Sequence, residues 1–115
     1  MSMPADCLFC KFVSSETPVE LVAQNQRAVA FNDINPQAPL HVLVIPREHY
    51  VDVGTLAAAD PAALADLVAL AQQVALEQSD GQYRLLFNSG PNAGQSVYHV
   101  HGHVIGGKKL GWTPA

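Results

Sequence analysis

The run His99-Val100-His101-Gly102-His103-Val104-Ile105 constrains this chain more than any other, because three of its five histidines fall at alternate positions. Successive side chains of an extended strand point to opposite faces, so the spacing predicts a strand from Tyr98 to Ile105 with all three imidazoles on one face. Three such rings suit two chemistries. They can hold a metal ion as a tripod, or they can supply a nucleophile and its hydrogen-bonding partners.

A strand of this kind needs a sheet, and the chain supplies the other members. His41-Val42-Leu43-Val44-Ile45 is apolar and β-branched between Pro39 and Pro46, which predicts a buried strand. Glu20 to Ala23 and Ala28 to Asn32 read as a hairpin around the polar residues Gln24 to Arg27. Arg84 to Asn88 makes a fifth strand. Asp60-Pro61 starts a long helix, with an acceptor side chain at the cap and a ring that loses no hydrogen bond in the first turn. Leu64, Leu67, Val68, Ala71 and Val74 or Ala75 form its apolar stripe through about Gln78. Hairpin-joined strands around one helix predict an α+β fold, an antiparallel sheet with helices on one face.

The chain has 115 residues, 49% of them apolar, enough for a single domain over 1–115. A net charge of −4 with six Lys plus Arg leaves no basic stripe for a phosphate backbone, which excludes a nucleic-acid partner. Met1 to Cys10 lacks a basic start and an apolar run, and no segment has the roughly 18 apolar residues of a membrane span. The expectation is a cytoplasmic protein without a membrane partner. Two cysteines three apart in a reducing compartment predict no disulfide and leave two buried thiols or half of a metal site.

Before the histidine run lies Asn88-Ser89-Gly90-Pro91-Asn92-Ala93-Gly94-Gln95-Ser96, where glycines let backbone N–H groups approach an anion. Such a loop is more often an ordinary connection; beside three imidazoles it reads as a phosphate rim. Gly94-Gln95-Ser96-Val97-Tyr98-His99-Val100-His101 followed by Gly102-His103-Val104-Ile105-Gly106-Gly107 resembles the signature of the histidine triad (HIT) family, in its Hint-like branch. Phe31-Asn32-Asp33-Ile34-Asn35-Pro36-Gln37-Ala38-Pro39, continuing through His41 to Pro46, is similar to the nucleoside-binding half of the same family.

The resemblance implies a HIT-like fold, a five-stranded antiparallel sheet with one long and one short helix, and a homodimer that continues the sheet. It also implies hydrolysis of purine nucleoside 5′-monophosphoramidates, AMP derivatives among them. His101 would attack phosphorus through one ring nitrogen while the other donates to a backbone carbonyl. His103 would face the non-bridging oxygens, and Ser96 and Asn88 the phosphate and leaving group. His41 would stand behind the nucleophile, and Asp33 would take the ribose hydroxyls. Gly94 and Gln95 belong to the same nucleotide site, with Phe9, Phe31 and Ile34 as candidate liners of the base pocket. Taken one at a time, Asp33 could simply shape a turn, His41 could be a satisfied core histidine and Ser96 could cap the loop.

Cys7-Leu8-Phe9-Cys10 has the spacing of a zinc half-site. Bacterial members of the family complete such a pair, and the resemblance implies a structural Zn²⁺ on Cys7, Cys10, His49 and His99, leaving His101 and His103 for chemistry. Two positions depart from the family pattern. Gly102 replaces a larger apolar residue and predicts looser packing on the face opposite the histidines, and the tail Gly111-Trp112-Thr113-Pro114-Ala115 replaces a Trp-Pro-Pro-Gly ending.

Three rival readings remain open on the sequence. One is a dinucleoside polyphosphate hydrolase of the same family. Another is a metallohydrolase using His99, His101 and His103 as ligands. The third is a binding module without catalysis, against which an intact His101 weighs. Transferases of the family carry Gln at the last triad position, so His103 favours hydrolysis.

Overall fold

β3 (Leu40–Pro46) is buried along its whole length and forms the centre of the molecule. Pairing on both edges satisfies its backbone, and apolar side chains fill both of its faces. The computed structural model describes residues 7–112, so the tail from Thr113 onward lies outside the described residues. Five antiparallel strands run in the order β1-β2-β3-β5-β4, with β1 at Leu21–Gln24, β2 at Ala28–Asn32, β4 at Tyr83–Phe87 and β5 at Gly102–Gly106. The α+β fold and its strand count are those expected from the sequence.

Asn25 turns the β1–β2 hairpin. Its Oδ1 accepts the N–H of Ala28 at 3.0 Å, and its Nδ2 donates to the Asp66 carbonyl at 2.8 Å. The turn is thereby tied to the long helix α3, Pro61–Gln78. Asp60 begins that helix, its side chain accepting from the Ala63 N–H at 3.1 Å with Pro61 in the first turn. The same residue ends the short helix α2 (Val53–Ala59), its own N–H donating to the Leu56 carbonyl at 2.8 Å. The inward stripe of α3 is Ala63, Leu67, Leu70, Ala71, Val74 and Ala75. Of the residues expected there, Leu64 is only partly buried and Val68 is 40% exposed, because the helix is rotated toward Ala63 and Leu70.

Alternation along β3 divides the core. Leu40, Val42 and Val44 face α3 together with Val104, Ala28 and Ala30, whereas Leu43 and Ile45 join Val29, Phe31 and Phe9 on the other side. Phe9 belongs to α1 (Leu8–Val13), so a second short helix covers the face that α3 leaves free. Helices therefore lie on both faces of the sheet and not on one. Covering only part of that face, α1 leaves the His41 and His103 end open.

Two further expectations need correction. The last strand begins at Gly102 and not at Tyr98. Upstream of it the Val100 N–H leaves the ladder and donates to the Tyr50 carbonyl at 2.8 Å. Gly102 does not loosen the opposite face either, because β4 fills its space. A Cβ at this position would lie 2.9 Å from Leu85 Cδ1 and 3.1 Å from the Phe87 ring.

Candidate functional site

Because the strand starts late, the three histidines of the run divide their work instead of facing one point. His99 is fully buried, and its Nε2 lies 3.0 Å from the Pro46 carbonyl. A carbonyl only accepts, so the ring proton is on Nε2 and the Nδ1 lone pair points the other way. There it meets Cys7 Sγ at 3.4 Å, Cys10 Sγ at 3.4 Å and His49 Nδ1 at 3.2 Å, and Cys10 Sγ is 3.3 Å from His49 Nδ1.

These four ligand atoms all lie within 4.8 Å of one another. A tetrahedral zinc with Zn–N of about 2.0–2.1 Å and Zn–S of about 2.3 Å sets ligand–ligand edges of roughly 3.3–3.8 Å. The donor set and its spacing fit that ion, and the Pro46 carbonyl supplies the outer partner that fixes a ligating imidazole. With no cation counted, burial pushes the Cys10 thiol up to about 12, with Cys7 beside it adding to the effect. Burial also lowers His99 to about 4 and shifts His49 downward. Burial thus favours neutral imidazoles at His49 and His99, and Cys10 needs a positive charge beside it to be held as a thiolate.

His101 turns away from this cluster. Its Nδ1 is 3.0 Å from the His99 carbonyl, which places the ring proton on Nδ1 and leaves a lone pair on Nε2. Phe9 stands edge-on against the ring with centroids 5.2 Å apart, and His103 lies at the same separation. His103 is the only histidine of the run on β5, opposite Leu43 of β3 and Leu86 of β4. Burial, then the nearby His101 and His41, lowers it to about 4 against an opposing pull from Asp33.

His41 packs against His103, not behind His101 as expected. Its Nδ1 accepts the Gln37 N–H at 2.9 Å, and its Nε2 is 2.9 Å from His103 Nδ1. Neutral His41 therefore carries its proton on Nε2 and donates it, which leaves His103 protonated on Nε2. Asp33, after β2, sets Oδ2 3.4 Å from His41 Nε2. The two histidines line a cavity of about 300 Å³ with Gln37, Leu86, Asn88 and Ile105.

The loop before the triad departs from its expected role. Gly90 and Gly94 have φ of 91° and 90°, which only glycine adopts without strain, and they close a 3-10 turn at Pro91–Ala93. The N–H groups of Ala93 and Gln95 bond the Gly90 carbonyl, and that of Gly94 bonds the Pro91 carbonyl. They are spent inside the loop and do not face an anion. Gln95 is buried and braces the loop: its Oε1 accepts from the Gly90 N–H at 2.8 Å, and its Nε2 donates to the Val51 and Val97 carbonyls. Both of its amide protons are used.

Ser96 is exposed and borders a different cavity, of about 430 Å³, with Cys7, Leu8, His49, Val51, Val97 and Tyr98. Phe9 and Phe31 are core residues that wall the site, and Ile34 is fully exposed. Sequence reasoning missed Gln37, Leu86 and Ile105. Alternation from His103 and its pairing could have located the last two, whereas nothing local marks the Gln37 N–H as the group that fixes His41.

Among the described residues, the potential metal-binding groups are Cys7, Cys10, His49 and His99, and Asp33, His41 and His103; His99, His101 and His103 do not form one. The metal-tripod alternative loses its geometric basis.

A HIT domain family model matches residues 14–110. An uncharacterized HIT-like protein of Synechocystis is 38% identical over 113 residues, covering 97% of this chain and 99% of that protein. A 14 kDa zinc-binding protein of Zea mays is 39% identical over 110 residues, covering 93% of this chain and 86% of its own. The crystal structure of a HIT family hydrolase from Legionella pneumophila superposes with a TM-score of 0.88 at 38% identity, covering 96% of this chain and all of that one.

Proposed function

The chain belongs to the HIT domain family, and from that premise we propose that it hydrolyses purine nucleoside 5′-monophosphoramidates through a covalent nucleotidyl group on His101. One observation carries this reading: the 3.0 Å contact from His101 Nδ1 to the His99 carbonyl, which commits the Nε2 lone pair to attack. Nε2 bonds to phosphorus as the P–N bond to the leaving group breaks, and the departing nitrogen takes a proton from solvent water to leave as the amine. Water then attacks phosphorus, the His101–phosphorus bond breaks, and the nucleoside monophosphate is released.

In this reading His103 donates from Nε2 to the phosphate oxygens, positioned by His41, while Asn88 contacts the phosphate and Asp33 the ribose. Cys7, Cys10, His49 and His99 hold a zinc ion whose closed shell links α1 to the start of the triad and supplies structure. The protein is a homodimer in which a second copy extends the sheet. Among the described residues no strand pairs with the outer edge of β4, and its five residues are all half-buried, which supports such an extension. Light scattering at twice 12.3 kDa supports the dimer, and a value at 12.3 kDa contradicts it.

The test of the reaction is turnover of adenosine 5′-phosphoramidate by protein before and after chelation. Release of AMP and ammonia by both samples supports the reading. Turnover lost on chelation and regained with metal, in protein whose α1 and His99 segment keep their hydrogen-exchange protection throughout, overturns it.

A further inference from the structure

Cys7 and Cys10 are the two cysteines of the chain, and the chemistry at His101 uses neither. Their surroundings differ. Cys10 is buried, whereas Cys7 is half-buried and lines the cavity of about 430 Å³ that it shares with Leu8, His49 and Val51. A small solute entering that cavity meets one sulfur and not the other.

The two sulfurs are nevertheless close neighbours. Cys7 caps α1, where its Sγ accepts the Cys10 N–H at 3.4 Å, and both Sγ atoms approach His99 Nδ1 to 3.4 Å. The N-cap and the third residue of a helix stand roughly 5 Å apart from Cα to Cα, inside the span of about 4.4–6.8 Å that a disulfide bridges. A bond between them closes within the first turn of α1 and requires no movement of the sheet. An accessible sulfur beside a buried second one is the arrangement of an attacking and a resolving cysteine.

We propose that Cys7 and Cys10 are an oxidative modification site, converted by a small hydroperoxide to a disulfide that withdraws both sulfur donors from the metal cluster. The Cys7 thiolate attacks one peroxide oxygen, the O–O bond breaks and hydroxide leaves, so the sulfur is oxidised to a sulfenic acid while the peroxide is reduced. The Cys10 thiolate then attacks the Cys7 sulfur; the S–S bond forms, the S–O bond breaks and a second hydroxide leaves. Two thiolates and one hydrogen peroxide thus give one disulfide and two hydroxides.

This rests on the zinc reading above and not on the reaction at His101. Once both sulfurs are oxidised, His49 and His99 are the donors left to an ion that needs four, and it is released. The disulfide lies wholly within α1, so oxidation cuts the tie from α1 to His49 and His99. Phe9, between the two cysteines, packs edge-on against the rings of His99 and His101 with centroids 6.0 and 5.2 Å away, which places the change beside the nucleophile.

The test treats zinc-loaded protein with hydrogen peroxide and follows intact mass together with zinc release to a colorimetric chelator. The expected result is a loss of two hydrogens and about one zinc per chain in step, both restored by a dithiol reductant and added zinc. Dimedone captures sulfenic acids, and early quenching with it is expected to label Cys7 in wild type. Cys10→Ser accumulates the same label, and Cys7→Ser yields none. Zinc-loaded wild type that keeps its hydrogens and its zinc, or dimedone found first on Cys10, overturns the inference and leaves the metal site standing. Protein that takes up no zinc overturns the metal reading and the inference together.

Discussion

His41 Nε2 and His103 Nδ1 face each other at 2.9 Å, and the Gln37 N–H on the far side of His41 determines that the proton between them belongs to His41. His41→Ala leaves His103 free to exchange tautomers and to rotate. The expected outcome is a fall of about 10- to 100-fold in kcat with little change in KM, measured by steady-state kinetics. Unchanged kcat would remove His41 from the site.

The depression of His103 to about 4 makes folding depend on pH with a defined sign. The unfolded ring titrates near 6.5, so between roughly 6.5 and 4 the unfolded chain binds the extra proton and the folded one does not. Stability is therefore complete above about pH 6.5 and falls as pH drops through that window. His103→Gln removes this share of the dependence. Urea midpoints of chelated wild type and variant at a series of pH values check it, and parallel curves would contradict it.

Gly102 is expected to resist the smallest substitution. Gly102→Ala presses a methyl group against Leu85 and the Phe87 ring and costs about 1–3 kcal/mol by overpacking. Leu85→Ala in the same chain relieves part of the clash, so the two changes are non-additive in chemical unfolding. Additive losses would mean that the strain is taken up elsewhere.

Chelation should loosen α1 and the segment around His99 while the sheet persists, because the four donors join those two regions. Protein purified without chelator is expected to hold about one zinc per chain. Since burial and Cys7 hold the Cys10 thiol up at about 12 without a cation, zinc uptake must expel its proton, and affinity falls as pH is lowered. Hydrogen exchange in α1 and near His99, with and without chelator, tests the linkage; identical protection would contradict it.

Elements governed by local rules were legible in the sequence. Asp60-Pro61 marked the start of α3, and the β-branched run between Pro39 and Pro46 marked the central strand, because caps and flanking prolines act within a few residues. The extent of the last strand was not legible. Alternating histidines read as a strand whether or not the backbone pairs, and the diversion of Val100 to the Tyr50 carbonyl depends on a segment about fifty residues away. Gln95 shows the same limit at the site: its type and position fit a ligand contact, yet its amide closes the loop on itself.

The central claim is that His101 bonds to phosphorus, and intact-protein mass under single turnover tests it most directly. Chelated wild type and His101→Ala are mixed with adenosine 5′-phosphoramidate and quenched in alkaline denaturant, which preserves a nitrogen–phosphorus bond. A transient gain of one adenylyl group on wild type, absent from the variant, is the predicted result. An adduct of equal yield on His101→Ala, or wild-type turnover that proceeds with no adduct at any time, would contradict the account.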